Sequence, residues 1–386
     1  MGLINDIRLS RKPLAGFLVI GCAWATCFAQ MPAIKAVIDA SDAVLGTAIL
    51  VASLGALTAM WVAPLADRLA GRWALPLASF LVGLGMLGVG AAPEVIAFTL
   101  ALMLASIGSG VVDVLVNVRV SETEARTGRP LMNLNHALYS FTYAGAALGT
   151  GALRELLWTP LEVFTVLIVL VSLLAVLTLD HRPMGEIERA APQGAMPHGL
   201  VLLAGFLVMI AFLTEASAEG WSALHLERTL GGGAAEGAMG PAILGLTMGI
   251  GRLAGHALSH RVSDMVLMAC ALLTAALGLA LAGAAPNLLL AYIGFGMGGL
   301  GISVVAPITL ALVGRIVSPQ ARLAAISRAS VLGYAAFFLG PPLMGFTSEL
   351  FGLRAAFWVI SGILLLACLI VIPALARGVT RQALQG

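Results

Sequence analysis

Three short constellations in this chain place ionisable or polar side chains at helical spacing inside long apolar runs. Asp113 and Asn117 are four residues apart, so a helix puts them on one face. His136, Tyr139 and Tyr143 fall at i, i+3 and i+7 and form one polar-aromatic stripe. Glu215 and Glu219 are again four apart, with Trp221 just beyond, and Arg328 stands alone six residues past Arg322. In lipid an ionisable side chain costs at least about 2.5 kcal/mol on insertion scales, so each of these is a candidate for function.

The chemistry open to them is proton and ion-pair chemistry. Two carboxylates on one face can hold a proton, because burial and like-charge repulsion both favour the neutral acid; Glu219 is the first choice for that role and Glu215 the second. His136 titrates near neutrality in water and serves either as a proton relay or as an inter-helix hydrogen bond. Asp113 either carries function or pairs structurally with a neighbouring helix. Arg328 is always charged and needs a partner at its depth. Asp113 is the expected one, giving a charge cluster of Asp113, His136 and Arg328 that closes one side of the molecule. Trp24 and Gln30 can supply an aromatic platform and a hydrogen-bonding group for a small polar solute, with packing as the alternative for Trp24. Asn117, Tyr139, Tyr143 and Trp221 complete the substrate-binding set, Trp221 alternatively being an interfacial anchor. Arg252 and His256 are expected near one membrane face, as gate or loop contacts.

The elements that must position these groups are apolar helices. Of 386 residues 60% are hydrophobic and 10% charged, and the mean hydropathy is +1.01, far from the roughly 25% charge of a soluble domain. A bilayer core needs about 20 apolar residues per helix. Twelve such stretches are expected, at 13–34, 44–66, 73–92, 95–118, 131–153, 161–179, 199–218, 238–258, 265–284, 288–313, 323–346 and 355–375. The expected organisation is a six-helix bundle over 1–179, a hydrophilic linker over 180–198 and a second six-helix bundle over 199–386. The first stretch is too long for a cleavable signal and is expected to stay. Arg8, Arg11, Lys12, Arg68, Arg72, Arg119, Arg126, Arg129, Arg182, Arg189, Arg261, Arg315, Arg322, Arg377 and Arg381 fall in one set of loops. Lys35, Arg154, Arg228 and Arg354 fall in the other, so both termini are expected in the cytoplasm. The halves also echo each other: Asn135-His136-Ala137 leads to Tyr143 as Ser327-Arg328-Ala329 leads to Tyr334. A net charge of +2 without a basic run argues against a nucleic-acid partner. Cys22, Cys27, Cys270 and Cys368 lie in apolar stretches without metal or redox spacing and are expected to be packing residues.

Several motifs in order carry a resemblance: Trp24-Ala25-Thr26 with Pro32-Ala33-Ile34, Asp113-Val114 with Asn117, Met132-Asn133-Leu134 with His136 and Tyr139-Ser140, Ala216-Ser217-Ala218-Glu219-Gly220-Trp221, Gly251-Arg252, and Gly340-Pro341-Pro342-Leu343 with Gly352-Leu353-Arg354. Over nearly its whole length the chain resembles the major facilitator superfamily, and more narrowly its bacterial YbjJ-like branch, similar to the fucose permeases. The resemblance implies an all-α polytopic membrane protein with twelve transmembrane helices in two pseudo-symmetric six-helix bundles around a central cavity. That cavity is lined mainly by helices one, four, seven and ten and opens alternately to each side. It also implies a functional monomer and a loop between helices two and three, here Asp67, Arg68, Gly71 and Arg72. In this chain two spacers separate Arg68 from Gly71 where the family has one, and Ala63 replaces the usual earlier glycine.

No Walker glycine loop, zinc-protease motif or nucleophile elbow is present, so the expected energy source is an ion gradient and no enzyme activity or cofactor is expected. The reading is a secondary active transporter of a small polar, sugar-like solute in the bacterial inner membrane, coupled to H+, with Na+ as the alternative ion. Efflux of a drug or metabolite is the alternative, and a non-transporting membrane sensor a third class.

Overall fold

Lipid offers backbone groups no partner, so a chain of continuous apolar runs must close its hydrogen bonds within helices. A computed structural model describes residues 2–179, 196–258, 261–318 and 321–383, and among these every regular element is helical. Residues 180–195 of the expected linker, with Arg182 and Arg189, lie outside the described residues.

The first group comprises α1 (Gly2–Val37), α2 (Asp42–Ala70), α3 (Ala74–Ala91), α4 (Val95–Thr127), α5 (Met132–Glu155) and α6 (Pro160–Leu177). The second comprises α7 (His198–Leu224), α8 (Ala234–Leu258), α9 (Asp264–Ala284), α10 (Leu288–Ile302), α11 (Val305–Ile316), α12 (Arg322–Tyr334), α13 (Ala336–Leu366) and α14 (Ile372–Ala383). Nine stretches among the described residues are long and apolar enough to cross a bilayer.

Local sequence sets the boundaries. Ser41 caps α2 by accepting from the Val44 amide at 3.3 Å, and Thr159, Pro160 and Glu162 form a capping box at α6. Gly352, at φ 84° and ψ 162°, breaks α13 into two helices; only glycine adopts that backbone readily. The expected stretch 288–313 is interrupted at Ser303 and Val304, between α10 and α11. The expected 323–346 divides between α12 and α13. α1 and α4 outrun their apolar cores, beginning at Gly2 and ending at Thr127.

Small residues let helices approach closely. A Cβ added at Gly278 of α9 would lie 2.6 Å from the Gly294 carbonyl oxygen of α10. Large apolar side chains such as Leu173, Leu277 and Leu369 are exposed on the outer surface, the inverse of a water-soluble fold. Cys22 and Cys27 are buried in packing, as expected, but Cys270 is exposed.

Contacts between the groups fix the faces. Arg154, at the end of α5, donates to the Ala29 and Ala234 carbonyls and to Glu227. Asp42, at the start of α2, binds Arg228 and Ser348. The ends of α1, α5 and α7 and the starts of α2 and α8 therefore share one face. The start of α1, the start of α7 and α14, whose Gly378 packs on Leu200, lie on the other, called here the terminal face. The groups meet through α2 on α13, α5 on α8 and α1 on α7 and α8, while α11 and α12 pack chiefly on α7, α9 and each other. The groups are thus fastened to each other at the face away from the termini, while α11 and α12 pack chiefly within the second group.

Candidate functional site

Where the groups face each other near mid-depth, polar side chains converge. Asp113 lies within the 33 residues of α4. One turn on, the Asn117 amide donates to the Asp113 carboxylate at 2.9 Å and to its carbonyl at 2.8 Å. His136 on α5 meets the Asn117 amide oxygen at 3.3 Å, and its ring is set edge-on to Phe17 of α1 with centroids 4.9 Å apart. Spacing alone foretold the faces of α4 and α5; Asn117 is the link between them.

Across the interface, α7 presents Glu215 and Glu219 and α8 presents Arg252. The Arg252 guanidinium reaches Glu215 Oε1 at 3.4 Å and donates to Ser140 Oγ of α5 at 2.6 Å, so one cation ties a carboxylate of the second group to a hydroxyl of the first. The guanidinium is ion-paired with Glu215, and Glu219 lies within electrostatic reach of Glu215, of Arg252 and of the Tyr143 hydroxyl. That hydroxyl is buried and falls outside hydrogen-bonding geometry, which agrees with a near contact and not a formed bond. Tyr139 and Tyr143 stand with ring centroids 6.2 Å apart. The stripe on α5 therefore runs from Asn117 at one end to Glu219 at the other.

The α1 wall is aromatic. Trp24 stacks on Phe28 at 5.5 Å and donates its indole N–H to Ser109 of α4 at 2.9 Å, which locks the ring. Gln30 is completely buried, and both its amide nitrogen and oxygen lack a hydrogen-bond partner. Opposite, Phe212, Tyr334 and Phe337 form a stacked trio with centroids 6.0 to 6.2 Å apart.

One expectation needs correction, and two divide. Arg328 does not pair with Asp113: it is exposed on α12, where its guanidinium donates to Met196 Sδ at 3.2 Å, and the α12 side chain that comes within electrostatic reach of Asp113 is instead Tyr334, six residues on. Of the two roles expected for Arg252, gate or loop contact, the loop falls away, since its guanidinium ties Glu215 of α7 to Ser140 of α5; the His256 side chain lies outside the described residues. Trp221 is only 1% exposed within the core, so it anchors no membrane interface. Ser140 was missed as a site residue, and Arg252 was expected as a gate or loop contact without its partners. A signal existed for Arg252, a guanidinium placed in a helix otherwise carrying few charges.

This constellation can accept a proton, exchange ion-pair partners and hydrogen-bond a polar solute; it has no nucleophile activated by a base. The family profile described as Major Facilitator Superfamily matches residues 204–385. An uncharacterized MFS-type transporter of Yersinia pestis is 31% identical over 376 residues, covering 95% of this chain and 94% of that one. The chain belongs to the major facilitator superfamily. It is accordingly a polytopic membrane protein for secondary transport by alternating access, and not an enzyme.

Solved structures of similar fold include a bacterial homologue of the human lysosomal transporter Spinster, in an inward-facing and occupied conformation. It has a TM-score of 0.76 and 18% identity over 96% of this chain and 97% of that one. A D-xylose-proton symporter has a TM-score of 0.70 and 14% identity, covering 96% and 97%.

The loop after α2, with its extra residue, is closed by local contacts. Asp67 and Arg119 of α4 form a buried ion pair at 3.0 Å, each side chain 6% exposed. Gly71 adopts φ 51° and returns its N–H to the Asp67 carbonyl, a turn that favours glycine. Arg72 lies over the Trp73 ring at 5.6 Å, and Arg68 is exposed. The loop thus fastens α2 to α4 within the first group.

Proposed function

We propose that this superfamily member is an H+-coupled transporter of a small polar solute, sugar-like in its demand for hydrogen bonds. In this reading it works as a monomer of two six-helix bundles and twelve crossings, in a branch similar to the fucose permeases. Its terminal face lies in the cytoplasm of a bacterial inner membrane, as the excess of Lys and Arg there supports. The state described is then the inward-facing one.

The observation that carries the reading is the Glu215–Arg252–Ser140 bridge with Glu219 beside it. With both carboxylates ionised, Arg252 is held between α7, α8 and α5. A proton on the pair releases part of that hold and lets the groups part, while the emptied polar face takes up the solute. Moving one proton across 100 mV supplies about 2.3 kcal/mol, enough for modest accumulation. The D-xylose-proton symporter shares this fold, which makes sugar-proton coupling compatible with it.

Proteoliposomes loaded at pH 7.5 and diluted to pH 6 test the proposal with a panel of sugars and polyols. An external solute should enter with internal acidification, and Glu219→Gln should abolish acidification while leaving solute exchange. Solute entry without proton movement in the wild type would sink the coupling. Export of an apolar solute is a second reading, favoured by the Phe212, Tyr334 and Phe337 stack. In that case only lipophilic compounds would release protons from the vesicles.

A further inference from the structure

At the terminal face, the part of α1 that precedes Pro13 lies beside the final turns of α4. Arg129 fastens the two by an ion pair to Asp6. Between them is a cavity of about 240 Å³ lined by Arg8, Arg11, Lys12, Arg119, Glu122 and Arg126. With Arg119 paired to Asp67 and Lys12 and Glu122 of opposite charge, Arg8, Arg11 and Arg126 supply the positive excess of the lining. A water occupies about 30 Å³ of liquid, so the space admits a phosphate with its ester groups.

Its position narrows the occupant. The apolar run of α1 begins at Pro13, so the cavity sits at headgroup level. Leu3, Ile4 and Leu9 on the same segment are exposed, at 62%, 67% and 36%, and give acyl chains an apolar surface to lie along. Arg8, Arg11 and Arg126 are exposed and can turn toward a phosphodiester, whereas Arg119 is held by Asp67 at 3.0 Å. Basic pockets among membrane helices suit anionic lipid headgroups, and guanidinium forks match phosphate oxygens.

We propose that this cavity is a binding site for the phosphate of an anionic phospholipid in the leaflet at the terminal face, held by Arg8, Arg11 and Arg126. Through Arg119 the site adjoins the Asp67 pair, so an occupied headgroup steadies the junction of α1, α2 and α4.

The full chain, reconstituted in phosphatidylcholine, can be titrated with spin-labelled phosphatidylglycerol and with spin-labelled phosphatidylcholine. The fraction immobilised by the protein gives the relative affinity. Wild type should prefer phosphatidylglycerol by roughly fivefold or more, the effect of at least one cation at the surface. Arg8→Gln/Arg126→Gln should lose most of that preference, and Arg377→Gln/Arg381→Gln, on the same face but outside the cavity, should keep it. Equal preference in wild type, or equal loss in both double variants, overturns the site in favour of none or of a diffuse surface attraction. Displacement of the labelled lipid by millimolar inorganic phosphate overturns the lipid as occupant and leaves a soluble-anion site. If the double variant does not fold, Arg8→Gln and Arg126→Gln singly should each lower the preference, and no change in either overturns the proposal. Solute transport is not read, so the outcome is independent of the function proposed above.

Discussion

Gln30 is completely buried with an unpaired donor and an unpaired acceptor, an arrangement that costs about 1–3 kcal/mol. A solute hydroxyl that satisfies both would recover this, so the empty protein should gain from losing the amide. Gln30→Leu is expected to raise the thermal midpoint of the solute-free protein and to raise KM for uptake; a lowered midpoint would mark the amide as structural. Arg252 is opposite in character. Removing one partner of a buried ion pair costs about 3–5 kcal/mol, and with side chains 19% and 24% exposed the low end applies. Arg252→Gln should destabilise by about 3 kcal/mol, and Arg252→Gln/Glu215→Gln by less than the single variant, both without coupled transport. Additive losses in a double-mutant cycle of thermal midpoints would show that the two groups do not interact. Helical spacing made Asp113 with Asn117 and Glu215 with Glu219 legible in the sequence, since i to i+4 geometry is local. The partners of Arg252 and Arg328 were not legible, because which helix faces which is set by packing over the whole chain.

At the scale of the elements, the apolar runs located nearly every helix, and their misfits lie where backbone geometry and not hydropathy decides. Hydropathy sees no difference between α10 and α11, yet the helix is interrupted at Ser303 and Val304. It likewise cannot see how far α1 and α4 continue past the lipid, since a helix in water is as well bonded as one in lipid. Gly352 is the sharpest case: its φ of 84° and ψ of 162° turn the chain between two helices without a loop. An alanine there is expected to cost about 1–3 kcal/mol from backbone strain alone, because its Cβ would meet nothing within 4 Å. A thermal midpoint unchanged in Gly352→Ala would show that the turn relaxes freely.

For the whole molecule, the face away from the termini is shut by two clusters that both join the groups. Arg154 holds Glu227 through two hydrogen bonds at 2.6 and 3.0 Å. Asp42 gathers Lys35 at 3.1 Å, Arg228 at 2.7 Å and the Ser348 hydroxyl, while Glu349 accepts the Asp42 amide at 2.8 Å. These residues lie at chain positions far apart, and nothing in their spacing announced the clusters. Because the bonds of Arg154 to Glu227 and of Asp42 to Arg228, Ser348 and Glu349 must break before that face can open, they act on the balance between conformations and not on the solute. Removing Asp42 and Glu227 charges therefore lowers the cost of opening, and each 1.4 kcal/mol lost moves the populations tenfold. Spin labels at Leu157 and Leu289, exposed at 89% and 67%, report that face. In Asp42→Asn/Glu227→Gln their distance distribution should gain a longer component at least about tenfold more populated than in wild type. Uptake should become faster to start and weaker in accumulation, since a gate that opens without its solute leaks the gradient that drives it. An unchanged distribution would place the lock elsewhere, in the packing of α2 on α13, where a Cβ at Gly46 would lie 3.1 Å from Gly345.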